Sequence, residues 1–143
     1  MAFKDLYFKG FTDFHRLLFV SSRGRLAGRL VGMPVVMLTT TGRKSGKTRR
    51  SMLTTPLELG DSFVLVASFG GDDRHPAWFL NLRDQPEVEA TIGSRTRKMV
   101  ARIATGDERA DLWKRLSAAH PNYGSYQTKT DRQIPVVVLD PAD

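Results

Sequence analysis

The sequence predicts a mainly-β (α+β) fold: a small antiparallel barrel of about six strands, with helices around it and an amphipathic helix at its N-terminus. Two observations carry this expectation. The chain reads as helix, three strands, short helix, two strands, helices, strand, which is not the strand–helix alternation of a parallel sheet. Its strand-like stretches are joined by turns of hairpin length, so neighbouring strands run antiparallel. No internal repeat, low-complexity segment or linker divides the chain. Residues 1–143 are expected to form one domain, with 1–27 as its N-terminal helix and linker.

Residues 3–20 place Phe3, Leu6, Tyr7, Phe11, Phe14, Leu17 and Leu18 at three- and four-residue steps, the period of an amphipathic helix. Its aromatic content leaves two readings. The helix packs across a barrel end or over a ligand mouth, or it lies in a membrane interface with Lys4, Lys9 and Arg16 on its polar side. Pro34–Thr40 and Arg49–Pro56 read as strands, and Leu57–Phe63 as a tight turn. Phe63–Ala67 is an unbroken apolar run, hence a buried strand. It ends at Ser68-Phe69-Gly70-Gly71, where paired glycines let a backbone approach a ligand closely. Pro76–Leu82 is a short helix with Pro in its first turn. Glu87–Ile92 and Thr96–Ala104 form a hairpin about Gly93-Ser94. Thr105-Gly106-Asp107-Glu108 is a capping box opening a helix to about Ala119, which Pro121 stops. Asn122–Thr130 holds a further helical turn or two, and Ile134–Leu139 is the last strand.

Composition narrows the function. With 41% hydrophobic and 26% charged residues, the chain has the make-up of a soluble globular protein. Its net charge of +7 favours an anionic partner. Having no cysteine, it has no disulfide, thiolate nucleophile or Cys-based metal site. No apolar stretch approaches the about 18 residues of a membrane span. Asp5 and Asp13 interrupt the apolar N-terminus, which lacks a signal-peptide layout. A cytoplasmic location is expected; the interfacial reading of residues 3–20 would make it peripheral to the inner face of the cell membrane.

The anionic partner has an obvious landing place. Five of the eight residues from Arg43 to Arg50 are cationic, and Gly42 and Gly46 stand among them with the hydroxyls of Thr41, Ser45 and Thr48. Charge, hydroxyl donors and accessible backbone N–H groups are what a phosphate or carboxylate ligand needs. A P-loop is excluded by spacing, because Thr41 occupies its first glycine position, and by context, because a strand follows where a helix is required. The segment reads instead as the turn of a β-hairpin. On charge alone it is equally a solvated basic turn or a nucleic-acid patch. Against nucleic acid, the aromatics cluster in the first helix and near Tyr123 and do not interleave with the basic residues.

No catalytic constellation of the chain's own is evident. His15, His75 and His120 lack metal-ligand spacing, and no metal site is expected. There is no nucleophile elbow and no dinucleotide fingerprint. A cofactor that carries the hard chemistry would suit such a chain.

Five blocks carry a resemblance: Thr39–Gly46, Val66–Gly71, His75–Leu82, Pro121–Tyr126 and Thr130–Val136. In this order, over roughly residues 28–140, the chain resembles the deazaflavin-dependent nitroreductase family. That resemblance implies a split β-barrel binding the 8-hydroxy-5-deazaflavin coenzyme F-420, a polyanion with an apolar ring at one end. It implies an enzyme passing a hydride from the reduced coenzyme to an electron-poor quinone, activated alkene or nitro compound. Arg43, Lys44, Lys47, Arg49 and Arg50 would neutralise the phosphate and oligoglutamate tail, with Thr41, Ser45 and Thr48 donating hydrogen bonds. Ala67, Ser68, Phe69, Gly70 and Gly71 would seat the ring, flanked by Trp78 and Asn81; Trp78 is equally a core residue. Tyr123, Tyr126, His120 and Ser68 would form the catalytic set. Three residues apart on a helical turn, the two tyrosines would share one wall facing the substrate. Phe69 stands where many members carry Lys, and His120 where some carry Tyr, so acceptor preference should differ. The other readings are an FMN-binding split barrel and a non-catalytic module for a polyanion. The assembly is expected to be a monomer or a homodimer.

Overall fold

The computed structural model describes residues 29–30 and 33–142; the amphipathic helix expected over residues 3–20 lies outside them. Eight strands appear: β1 (Arg29–Leu30), β2 (Met33–Thr41), β3 (Thr48–Thr54), β4 (Leu57–Leu59), β5 (Ser62–Val66), β6 (Glu87–Ile92), β7 (Arg95–Ile103) and β8 (Val136–Pro141). Three helices accompany them: α1 (Ala77–Asp84), α2 (Gly106–Ala119) and α3 (Asn122–Gln127). A 3-10 turn covers Phe69–Gly71.

Every strand pair is antiparallel, in the order β1-β2-β6-β7-β8-β5-β4, with β3 on the other side of β2. The two ends of that sheet, β3 and β4, are separated in sequence by Thr55 and Pro56 alone, so the sheet must curl until its ends meet. Thr55, 1% exposed, marks the seam: its hydroxyl donates to the carbonyls of Leu57 and Val64, and its N–H to Pro34. The expected antiparallel barrel is present.

The last strand closes it. β8 lies between β5 and β7, and its residues Val136–Leu139 are all fully buried. Val137 and Leu139 point into one core with Val36, Leu38, Phe79 and Met99, whereas Val136 and Val138 point into a second beneath α2 and α3 with Leu112, Leu116 and Tyr123. The period of two explains why this strand is apolar throughout. Burying each such side chain contributes about 1.5–3 kcal/mol.

The six expected strands are all found, and two short ones are added. Leu57–Leu59, taken as turn, pairs with β5 across Gly60-Asp61, because Leu57 and Leu59 face inward on either side of exposed Glu58. The capping box marks the start of the helix, but its paired hydrogen bonds are not made. α2 begins as expected, yet the Thr105 side chain makes no cap bond. Glu108 is taken instead by Arg102, whose Nε also donates to Asp140 at 2.7 Å.

Candidate functional site

The basic segment is a tight hairpin turn, and glycine shapes it. The Gly42 N–H donates to the Lys47 carbonyl and the Gly46 N–H to the Gly42 carbonyl, both at 2.8 Å. A Cβ on Gly42 would lie 2.8 Å from Ser45 Oγ and 3.2 Å from the Lys47 carbonyl oxygen, and Gly46 sits at φ +70°. A side chain at Gly42 would crowd the turn, and one at Gly46 would be strained by its left-handed backbone. Residues 43–50 are all exposed. Among the described residues no salt bridge engages Arg43, Lys44, Lys47, Arg49 or Arg50. Their charge is free to meet a ligand. Ser45 is partly spent internally, since its Oγ accepts from the Lys47 N–H at 3.2 Å.

One side chain ties this turn to the body of the protein. Asn81, on α1 and 4% exposed, accepts through Oδ1 from both the N–H and Nη1 of Arg43 at 3.2 Å, and its Nδ2 donates to Thr40. Asn81 is therefore a clamp on the basic loop, occupied within the protein. Trp78 is 8% exposed in the main core, edge-on to Phe79 at 6.4 Å.

Below the loop, a cavity of about 560 Å³ runs along the sheet from the bases of β2 and β3. Thr39, Thr41, Thr48, Arg50, Glu89 and Lys98 are among its lining residues. Lys98 was missed in the sequence. The register could have found it: Thr39 pairs with Arg50 on one side and Glu89 on the other, and Glu89 pairs with Lys98. Predicting that row requires knowing that β6 lies beside β2.

The second half of the site is the Ser68–Gly71 turn. Phe69, Gly70 and Gly71 all have positive φ, at 47°, 63° and 83°. Arg132, which carried no role in the sequence, grips this turn. Its Nη2 donates to the carbonyls of Ala67 (3.1 Å) and Ser68 (2.9 Å), and its Nε to that of Asp72 (2.8 Å). Its Nη1 meets His75 Nδ1 at 3.1 Å. A guanidinium has no acceptor, so Nδ1 accepts and His75 is neutral with its proton on Nε2. Burial, then the charges of Arg132 and Arg83, hold the His75 pKa below its usual value.

The tyrosines meet but do not form one wall. Their rings pack edge to face at 6.1 Å. Tyr123 is 6% exposed in the second core, with its hydroxyl on the Met33 sulfur at 3.6 Å, while Tyr126 is half-buried. On so short a helix, the face that α3 turns to the core takes Tyr123 with it. Burial pushes the Tyr123 hydroxyl up from the usual phenol range; a neighbouring Thr54 opposes this and Tyr126 adds to it. His120 ends α2 edge-on to Tyr123 at 6.3 Å. α3 also touches the Ser68–Gly71 turn: a Cβ on Gly71 would stand 2.9 Å from the Tyr126 carbonyl oxygen.

α1 thus holds the two halves at set positions, His75 just before its start and Asn81 in its second turn. The helix advances about 1.5 Å per residue. An exposed cationic loop at one end and a glycine turn backed by Tyr126 at the other suit a ligand with a polyanionic tail and a flat apolar head. Among the described residues no group of three or more His, Asp or Glu gathers to hold a metal.

Comparison with known proteins gives the family. A family model described as F-420H(2)-dependent quinone reductase matches residues 14–141. An F-420H(2)-dependent quinone reductase of Mycobacterium tuberculosis is 37% identical over 129 residues, covering 87% of this chain and 86% of that protein. A solved structure described as an F-420-H2 dependent reductase is 44% identical, with a TM-score of 0.67, covering 75% of this chain and 94% of its own. Another, described as a domain-swapped dimer, is 38% identical with a TM-score of 0.69, over 87% of this chain and 94% of its own. Matched by the family model over nearly its whole length, the chain belongs to the F-420H(2)-dependent quinone reductase family.

Proposed function

We propose that this chain is a reductase that delivers a hydride from reduced coenzyme F-420 to a quinone, with activated alkenes and nitro compounds as further acceptors. The observation that carries the proposal is the Arg43–Arg50 turn: five cations, all exposed, on a glycine-closed frame clamped to α1. That donor set fits the phosphodiester and oligoglutamate tail of the coenzyme. The family assignment supports the same reading.

When bound, the coenzyme supplies the two-electron hydride chemistry. The chain's residues do the rest. Arg43, Lys44, Lys47, Arg49 and Arg50 hold the anionic tail, Arg by forked contacts and Lys as a point charge. Charge-assisted bonds of this kind contribute about 1.5–3 kcal/mol each, so two or three suffice to dock it. Thr41, Ser45 and Thr48 add hydroxyls. The Ala67–Gly71 backbone seats the ring, with Phe69 lending apolar surface. Tyr126, rather than the buried Tyr123, presents its Oη to the acceptor and gives it a proton as negative charge builds there. Tyr123 and His120 support Tyr126 from behind. Orientation and preset electrostatics account for the rate gain.

Residues 1–143 act as one domain in this reading. No described helix is long and apolar enough to cross a membrane. Interfacial contact through residues 3–20 is tested by vesicle sedimentation with and without them. A domain-swapped relative makes the oligomeric state worth measuring beside activity.

Mixing the purified chain with the reduced coenzyme and menadione should give protein-dependent oxidation of the coenzyme. Titrating oxidised coenzyme F-420 and FMN side by side should show preference for the former. Tighter FMN binding, with no turnover of the deazaflavin on menadione, cyclohexenone or a nitroarene, would end this reading.

A further inference from the structure

Three consecutive residues, Phe69, Gly70 and Gly71, lie in the left-handed region, with φ of 47°, 63° and 83°. Glycine occupies that region freely; phenylalanine does so only when its surroundings hold it there. Several groups hold it: the Gly71 N–H donates to the Ser68 carbonyl and the Asp72 N–H to the Phe69 carbonyl, the Arg74 guanidinium lies over the Phe69 ring at 5.6 Å, and a second guanidinium brackets the run. Arg132 takes the carbonyls of Ala67 and Ser68 before the run and that of Asp72 after it, at 2.8–3.1 Å. Its remaining arm rests on His75, whose ring lies tilted against Phe79 at 4.8 Å and so joins the grip to α1. The turn is pressed against α3 as well, since a Cβ on Gly71 would come 2.9 Å from the Tyr126 carbonyl oxygen and 3.0 Å from Lys129 Cβ.

We propose that Arg132 is a positioning residue of the reductase: by bracketing the left-handed run it holds the ring seat in shape and, through Gly71, fixes where Tyr126 stands. This rests on the function proposed above. Arginine is required and lysine is not a substitute. The acceptors lie in different directions, and the planar fork reaches all of them with fixed geometry, whereas an ammonium radiates from one point. Burial lowers the Arg132 pKa from its usual value, while Asp72 and Asp73 offset part of that, so the guanidinium keeps its charge.

The test uses the full chain with Arg132→Lys, Arg132→Met and the milder His75→Phe, which removes one of the four partners while keeping a ring on Phe79. Amide hydrogen exchange on the protein without coenzyme should speed up at residues 69–72 in both Arg132 variants and leave β8 unchanged. Affinity for oxidised coenzyme F-420 should fall on the order of tenfold with unchanged stoichiometry, which a partly unfolded preparation would not give, and kcat should fall at least as far. His75→Phe should show the same pattern at smaller amplitude, and it carries the test if the Arg132 variants fail to fold. Unchanged exchange at residues 69–72 in the folded variants overturns the proposal whether or not the coenzyme binds. Dissociation constant and kcat within twofold of the parent in Arg132→Lys overturn it too. A parent protein that does not bind the coenzyme, beside altered exchange in the variants, overturns the proposed function and the catalytic half of this proposal, leaving only the pinning of the turn.

Discussion

In the proposed function the Arg43–Arg50 loop and the Ser68–Gly71 turn would serve one site by opposite means. The loop keeps all eight of its residues exposed; beyond the β2–β3 pairing that holds Thr48–Arg50, Arg43 ties it to Asn81. The turn has a positive φ at three successive residues, a guanidinium on the Ser68 carbonyl and on the flanking Ala67 and Asp72 carbonyls, and a helix against its back. The loop works by number, so that any one cation matters little. The turn works by shape, which one misplaced atom spoils. A flexible charged tail tolerates the first arrangement, and a flat ring that must meet an acceptor needs the second.

Two glycines put this contrast to its largest test. Gly71 and Gly46 both have positive φ, but Gly46 has nothing within 4 Å of where a Cβ would stand, and Gly71 has the Tyr126 carbonyl at 2.9 Å. Gly46→Ala should cost only the left-handed strain, about 1–2 kcal/mol. Gly71→Ala adds an overpacking term against backbone and should cost about 3 kcal/mol or more in all. Urea unfolding of both variants gives the two numbers. Equal losses would remove the distinction between the regions.

The same contrast explains what the sequence made legible. A cationic run such as Arg43–Arg50 is local, as are the strand periods and the Gly93-Ser94 hairpin, and all were readable. The roles of Arg132 and Lys98 are not local. Arg132 acts on residues about sixty positions earlier, and Lys98 enters the groove only because β6 and β7 extend the sheet beside β2. Asn81 stands out in the sequence, but its clamp on the loop was not legible, since its partners lie on β2 and the loop beyond it. The burial of Tyr123 was not legible for a related reason: helical spacing tells which residues share a face, not which face the core takes.

Asn81→Ala should have the next largest effect, because it detaches one region from the other. It leaves the buried Thr40 hydroxyl without its amide and frees Arg43 from α1. A loss of about 1–2 kcal/mol in unfolding free energy is expected. Coenzyme affinity should fall several-fold at low salt, with the rate of a saturated enzyme preserved. A fall in kcat as large as the fall in affinity would mean that the clamp also shapes the ring seat.

Acid should loosen the turn before it touches the loop. His75 is neutral in the fold, its pKa lowered by burial and by Arg132 and Arg83, with Asp72 and Asp73 as the nearby carboxylates acting on Arg132. A group whose folded pKa is depressed contributes stability that is fully present above its unfolded value, about 6.5 for histidine, and is lost as pH falls through the folded value. Melting temperature should therefore drop progressively below about pH 6.5. His75→Phe should flatten that limb while lowering stability at neutral pH. An acid limb unchanged in His75→Phe would assign it to other groups.

The smallest effects are expected from single loop cations. Lys44→Ala or Arg49→Ala removes an exposed charge that no described salt bridge uses, and unfolding free energy should stay within about 0.5 kcal/mol. Each should weaken coenzyme binding by a few-fold, and the losses should add, because flexible cations around a screened anion act nearly independently. Arg43→Ala should cost more than its neighbours, since the Arg43 guanidinium also rests on Asn81. Raising salt should shrink all of these differences together, as screening does for exposed charges and less so for a part-buried fork such as Arg132. A single loop substitution that abolished binding at low salt would show that the loop, too, is a shaped socket, and the division of labour between charge and geometry would have to be redrawn.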